Sequence, residues 1–468
     1  MENTSPSSRR QFLKLSGLAG AASILPAGQL AGRPGKPASG PAKNVIFLVA
    51  DGLGNGTVGL AHHWKLRNEQ APLNWIRLFG RDDLRRAYQD TASASSPVTD
   101  SAAAASAWGC GQRIDNGSIN TAADGRALKP ILSHAKEAGK ATGLVTTCRI
   151  THATPAGFAA NVPQRDQEDE IARQYLERGI DVLLGGGARH FRQAQEDGGV
   201  IDYLPRFQGK GYEVVADAAG LAAASGRSPL LGLFAKSHIP YAIDRKHDRS
   251  LQNVPGLGDM FRAALARLDG MKDGFVLQVE GGRVDHAGHA NDPAAILHEF
   301  LEFDACIPIA LEYVESHPDT LLVVTTDHGT GGCQLNGAGK AYADSGPALE
   351  RINQIKYSFE WLEERFRATG RFNPVPLKMA LGIDATAEQA AIVQAALDNK
   401  AEYLSGALTG AFGPQLEELT AVGWTSGNHS SECVELFAFG PGSHALPPFI
   451  ENYELFGLMT DALGLKVS

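Results

Sequence analysis

The chain has 468 residues, 43% hydrophobic and 20% charged, with 43 Lys and Arg against 52 Asp and Glu for a net charge of -9. That length and apolar content support one large domain or two to three ordinary ones and exclude general disorder. An acidic chain is a poor binder of nucleic acid or anionic membrane, so small substrates are expected.

The chain opens with Ser8-Arg9-Arg10-Gln11-Phe12-Leu13-Lys14, an apolar Leu15 to Pro26 segment, and small residues from Ala27 to Gly32. This resembles a twin-arginine export signal, and it is too short to span a bilayer. Cleavage is expected between Ala27 and Gly40. The mature protein is then expected in the periplasm or secreted, exported folded by the twin-arginine machinery and without a membrane segment. Cutting after Ala31 removes Arg9, Arg10, Lys14 and Glu2, which leaves the chain more acidic still. The five cysteines are odd in number and contain no CxxC pair, so neither a disulfide framework nor a thiolate zinc site is indicated. Residues 1–43 read as signal and linker, and 44–468 as the folded domain that follows.

Asn44 to Ala50 is an unbroken apolar run, the pattern of a strand buried on both faces of a parallel sheet. Similar runs recur at 143–147, 181–184, 275–279, 321–326 and 434–439. Helical patterns lie between them at 129–138, 167–178, 258–268 and 292–316. The alternation predicts an α/β fold, a mostly parallel central sheet with helices on both faces. From about 334 to 423 the strand pattern lapses into loops and helices, notably 359–368 and 386–399, which reads as an insertion over the strand ends.

Polar groups collect at one edge of that predicted sheet. Asp51 ends the first strand, Glu280 the strand from Phe275, and Asp327 and His328 the strand from Leu321, at the carboxyl edge where open α/β sheets bind ligands. In Glu280-Gly281-Gly282-Arg283-Val284-Asp285-His286-Ala287-Gly288-His289, a helix after Gly282 would put Asp285 and His289 on one face, able to reach one ion. Ser101 opens a run of small helix formers after Pro97-Val98-Thr99-Asp100. Its hydroxyl would sit at a helix N-terminus, which favours anions.

In this order the motifs resemble the alkaline phosphatase family. VADGLG with Asp51, VTDSAAAASA with Ser101, THATPAG with His152 and Thr154, then Arg165, VEGGRVDHAGH, TTDHGTGG and the late His429 carry the resemblance from Asn44 to the C-terminus. It implies two zinc ions and one magnesium. Asp285, His289 and His429 would hold the first zinc. Asp327, His328 and Asp51 would hold the second together with the Ser101 oxygen, and Asp51, Thr154 and Glu280 the magnesium. Ser101 would be the nucleophile, Arg165 the phosphate clamp, and Asp100 the partner that fixes Arg165. The implied reaction is hydrolysis of small phosphomonoesters at alkaline pH through a phosphoserine. A homodimer is implied by the family only.

The best-known bacterial pattern has aspartate at position 152 and lysine at 286, whereas this chain has His152 and His286, as in the animal branch. Both stand beside the ligands rather than among them, and which cation fills the third site stays open. Two rival functions are a phosphodiesterase of the same superfamily and an exported phosphate or metal binder without catalysis. The remaining histidines, His238 among them, belong to no constellation in the sequence.

Overall fold

The computed structural model describes residues 40–194 and 199–467, so the arginine pair, the apolar segment and the cleavage region lie outside the described residues. Ten strands build the central sheet. They are β1 Asn44–Ala50, β2 Arg85–Asp90, β3 Ala141–Arg149, β4 Val182–Gly186, β5 Glu213–Val215, β6 Leu230–Leu233, β7 Phe275–Gly281, β8 Thr320–Thr325, β9 Val434–Phe439 and β10 Phe449–Glu451. Their order is β10-β2-β9-β8-β1-β7-β3-β4-β6-β5. The run from β8 to β5 is parallel throughout. Only β9 runs against its neighbours β8 and β2.

Every residue of β1 is buried. Ile46, Leu48 and Ala50 face one apolar core, while Val45, Phe47 and Val49 face the other. With helices covering both faces, no face of these strands is left for polar residues, which is why they read as continuous apolar runs. The fold is the predicted mostly parallel sheet flanked by helices.

One expectation is corrected. The pattern at 292–316 is not one helix but two, Pro293–Asp304 and Cys306–Ser316. Pro308 has no N–H to give the Asp304 carbonyl, so the ladder cannot continue there. Asn74 Nδ2 takes that carbonyl instead, at 3.0 Å. The strands β2, β5, β6 and β10 gave no signal in the sequence. Three of them are short, and β2 (RRAYQD) is half exposed.

The stretch from 334 to 423 leaves and rejoins the fold through a two-residue ladder, Gln334 opposite Gly423 and Leu335 opposite Val422. Within it Phe359–Thr369 is capped by Ser358, and Ala387–Asp398 opens on a Thr386–Gln389 capping box. All five cysteines are free.

Candidate active site

Three short helices deliver the site: α1 Ser101–Cys110, α2 Ala153–Ala159 and α3 Arg283–His289. The small residues of α1 let it touch α2. A Cβ on Gly109 would lie 1.9 Å from the Gly157 carbonyl, and one on Gly157 would lie 2.6 Å from Ala105 Cβ. This contact sets Ser101 on α1 beside Thr154 on α2. Asp100, not Ser101, caps α1 by accepting from the Ala103 amide at 2.9 Å. The serine hydroxyl is thereby free for the site, with Oγ 3.3 Å from His328 Nε2 and 3.5 Å from Asp51 Oδ1.

The carboxyl edge of the sheet brings four carboxylates together. Asp51, Glu280, Asp285 and Asp327 are all buried. Gly52 makes this closeness feasible. Its φ is +73°, and a Cβ there would meet Asp285 Cα at 2.6 Å. Thr154 donates to Asp51 Oδ2 at 3.2 Å, and Thr146 to Glu280 Oε2 at 2.5 Å. Glu280 Oε1 and Asp327 Oδ2 are buried with no hydrogen-bond partner. Unpaired buried carboxylates are costly unless a cation joins them. Burial, and then the neighbouring Asp327, Asp285 and Glu280, push the Asp51 carboxyl well above its usual range. Burial also raises Glu280 to about 7.

The histidines point to the same conclusion. His289 Nε2 and His429 Nε2 face each other at 2.9 Å, each 3.4 Å from Asp285 Oδ1. Their Nδ1 atoms lie 2.7 Å from the Gly427 carbonyl and 2.8 Å from the Thr99 carbonyl. A carbonyl only accepts, so both Nδ1 atoms carry hydrogen and both Nε2 atoms, when the rings are neutral, present lone pairs to one another. Only a cation or a proton reconciles them. Without metal it is a proton: against burial, which lowers it, the Asp285 hydrogen bond lifts His429 to about 9. His328 repeats the arrangement. Thr330 Oγ1 gives its hydrogen to Asp285 at 2.6 Å and so accepts from His328 Nδ1 at 3.3 Å, which leaves Nε2 open to Asp51, Asp327 and Ser101. Two donor sets, Asp285-His289-His429 and Asp51-Asp327-His328, each converge tightly enough to hold one ion. Imidazole with carboxylate suits zinc, and Asp51, Thr154 and Glu280 supply oxygens alone.

Arg165 lines the same cavity as Ser101. It donates from Nη1 to Asp100 Oδ2 at 3.0 Å and from Nη2 to His152 Nε2 at 3.2 Å. His152 thus meets the arginine directly. The His286 ring stands 5.4 Å away.

One residue assigned to no constellation in the sequence lies among them. The His238 ring is 4.4 Å from that of His286 and 5.5 Å from that of His152, and Arg149 donates to it. A lone loop histidine carries no spacing that could have revealed this. The cavity is about 580 Å³, far more than a phosphate fills, and Phe359, Glu363, Tyr403 and Ser405 of the 334–423 stretch form part of its wall.

A family model described as alkaline phosphatase matches residues 42–465. Alkaline phosphatase 3 of Bacillus subtilis (strain 168) is 33% identical over 426 residues, covering 88% of this chain and 87% of that protein. The crystal structure of Thermus thermophilus alkaline phosphatase superposes with a TM-score of 0.83 at 36% identity, over 95% of this chain and 97% of that one. Streptomycin-6-phosphate phosphatase of Streptomyces griseus is 34% identical over 334 residues, 62% of this chain and 74% of that protein.

Proposed function

This chain belongs to the alkaline phosphatase family of metal-dependent hydrolases, and from that premise we propose that it hydrolyses phosphate monoesters through a phosphoserine at Ser101. The observation that carries the reading is the facing pair of lone-pair nitrogens on His289 and His429, in one cavity with a serine hydroxyl at a helix N-terminus. Asp285, His289 and His429 would hold one zinc, Asp327, His328 and Asp51 a second, and Asp51, Thr154 and Glu280 a magnesium. Bound there, the cations supply Lewis-acid charge to the serine oxygen, the phosphate oxygens and the departing oxygen.

The chain's own residues do the rest. Arg165, its planar fork fixed by Asp100, binds two oxygens of the phosphate. Ser101 gives its hydroxyl proton to solvent, its Oγ attacks phosphorus as the bond to the alcohol oxygen breaks, the departing oxygen takes a proton from water, and α1 directs its N-terminal amides at the anion. Water then attacks the phosphoserine and releases inorganic phosphate with Ser101 restored. His152 orients Arg165 from the side opposite Asp100, and His286 faces the phosphate where the best-known bacterial pattern has a lysine.

The test compares p-nitrophenyl phosphate with its bis ester on metal-loaded protein. Preference for the monoester is expected. Preference for the diester would overturn the monoesterase assignment, and no turnover with metals loaded would favour a binder.

Arg9 and Arg10 ahead of the apolar segment support export by the twin-arginine route to the periplasm or beyond. No helix of the described residues is long and apolar enough to cross a membrane. The exported protein's N-terminus, read by Edman degradation, is expected between residues 28 and 40; an uncut Met1 end on exported protein would refute the signal. Association as a homodimer rests on the family alone and is read by light scattering.

A further inference from the structure

Arg283 opens α3, and its side chain is 2% exposed. A buried guanidinium needs partners, and this one has three. Nη2 donates to Glu360 Oε2 at 2.6 Å, Nη1 donates to His286 Nδ1 at 2.9 Å, and the guanidinium lies 3.9 Å over the Tyr241 ring. Glu360 belongs to the helix Phe359–Thr369, inside the 334–423 stretch. Arg283 therefore ties that stretch to a ring in the wall of the catalytic cavity.

Arginine has donors only, so the nitrogen that faces it must be the lone-pair nitrogen of the imidazole. Neutral His286 then carries its single hydrogen on Nε2. Among the described residues Nε2 has no hydrogen-bond partner, and it is not among the buried atoms left unsatisfied. The ring lines the cavity together with Ser101 and Arg165, so Nε2 opens toward it. Cys148 Sγ stands 4.0 Å from Nδ1, farther than the guanidinium and the weaker partner of the two.

We propose that Arg283, anchored by Glu360, is a positioning residue that locks His286 in the Nε2–H tautomer, so that the cavity offers bound phosphate a neutral hydrogen-bond donor. The other tautomer would turn a lone pair toward an anion. A stretch of chain outside the core sheet thereby governs how firmly product phosphate is held. The phosphate part of this inference rests on the phosphatase reading, whereas the tautomer part does not.

The experiment uses metal-loaded protein with ¹⁵N-labelled histidine. NMR in the Ser101→Ala background reads His286, assigned by its loss in His286→Gln, and inhibition by inorganic phosphate is measured in the active enzyme. The parent should show a bare Nδ1 and a protonated Nε2. Arg283→Met should populate both tautomers and weaken phosphate inhibition by the reciprocal of the fraction that keeps the Nε2–H form, roughly twofold for an even mixture. Arg283→Lys, whose single ammonium can keep Glu360 paired but lacks the fork, should fold with its buried charge satisfied and still lose the lock. A His286 tautomer unchanged in either variant overturns the proposal, whatever phosphate inhibition does. A changed tautomer in a protein that hydrolyses no monoester would leave the lock standing and remove the phosphatase reading instead.

Discussion

Ser101→Ala is expected to lower kcat for p-nitrophenyl phosphate by roughly 10³-fold or more while metal content stays that of the parent, because it deletes the nucleophile and leaves its surroundings in place. The helix does not depend on the lost oxygen. Asp100 supplies the cap, and alanine suits the first turn of a helix that already runs Ala102-Ala103-Ala104-Ala105. Among the described residues the deleted Oγ hydrogen-bonds only to His328 and Asp51, so the stability change should stay within about 1 kcal/mol. Two measurements check this together: metal per chain by mass spectrometry, and phosphoenzyme trapped at low pH. The parent should yield labelled phosphoserine and the variant none. Near-normal turnover, or a phosphoenzyme that survives the substitution, would take Ser101 out of the nucleophile role.

Much of this arrangement was legible because parallel strands buried on both faces announce themselves, and a polar residue that ends such a run stands out. Asp51, Glu280, Asp327 and His328 are of that kind. The i, i+4 spacing of Asp285 and His289 likewise brings them to one point once α3 forms, with Nε2 3.4 Å from Oδ1. Other contacts are made between residues far apart in the chain, and no local pattern records them. His238 approaches His286 across 47 intervening positions of unrelated sequence, and Glu360 reaches Arg283 from the 334–423 stretch. The edge strand β2 was hidden for a different reason. Its side chains are largely solvated, so Arg85-Arg86-Ala87-Tyr88-Gln89-Asp90 has the composition of a loop. The break at Asp304 was signalled by Pro308, which would remove a ladder bond from the interior of one continuous helix but sits easily in the first turn of a new one.

Stripping the metals should abolish turnover and lower Tm by roughly 10 °C or more, since ions bound by the folded state alone stabilise it in proportion to their affinity. The size of that difference should itself depend on pH, and the residues fix its sign. In metal-free protein burial holds Glu280 up at about 7, above its ordinary 4.5, and burial with three carboxylate neighbours raises Asp51 too. A carboxyl whose folded-state pKa is raised binds more protons folded than unfolded. Its contribution is whole below the unfolded value and is lost as pH rises through the folded one. His429, lifted to about 9 by Asp285, acts in the same direction at higher pH. Asp285 and Asp327 are held low, Asp285 by His289 and His429 and Asp327 by His328, in each case against burial; their contribution is complete above 3.8 and does not vary in this window. His152, His238 and His286, lowered first by burial, gain stability as pH climbs through 6.5, but they do so in both forms and cancel from the difference. Cations held there would neutralise the crowded carboxylates and take up the lone pairs of His289 and His429, and the loaded protein would then escape the loss. The Tm difference between loaded and metal-free protein should therefore widen from pH 4.5 to 7 and go on widening toward 9. Calorimetry across that range, with and without chelator, measures it. A difference that is flat, or largest at acid pH, would show that these carboxylates and His289 and His429 are not what the ions hold apart.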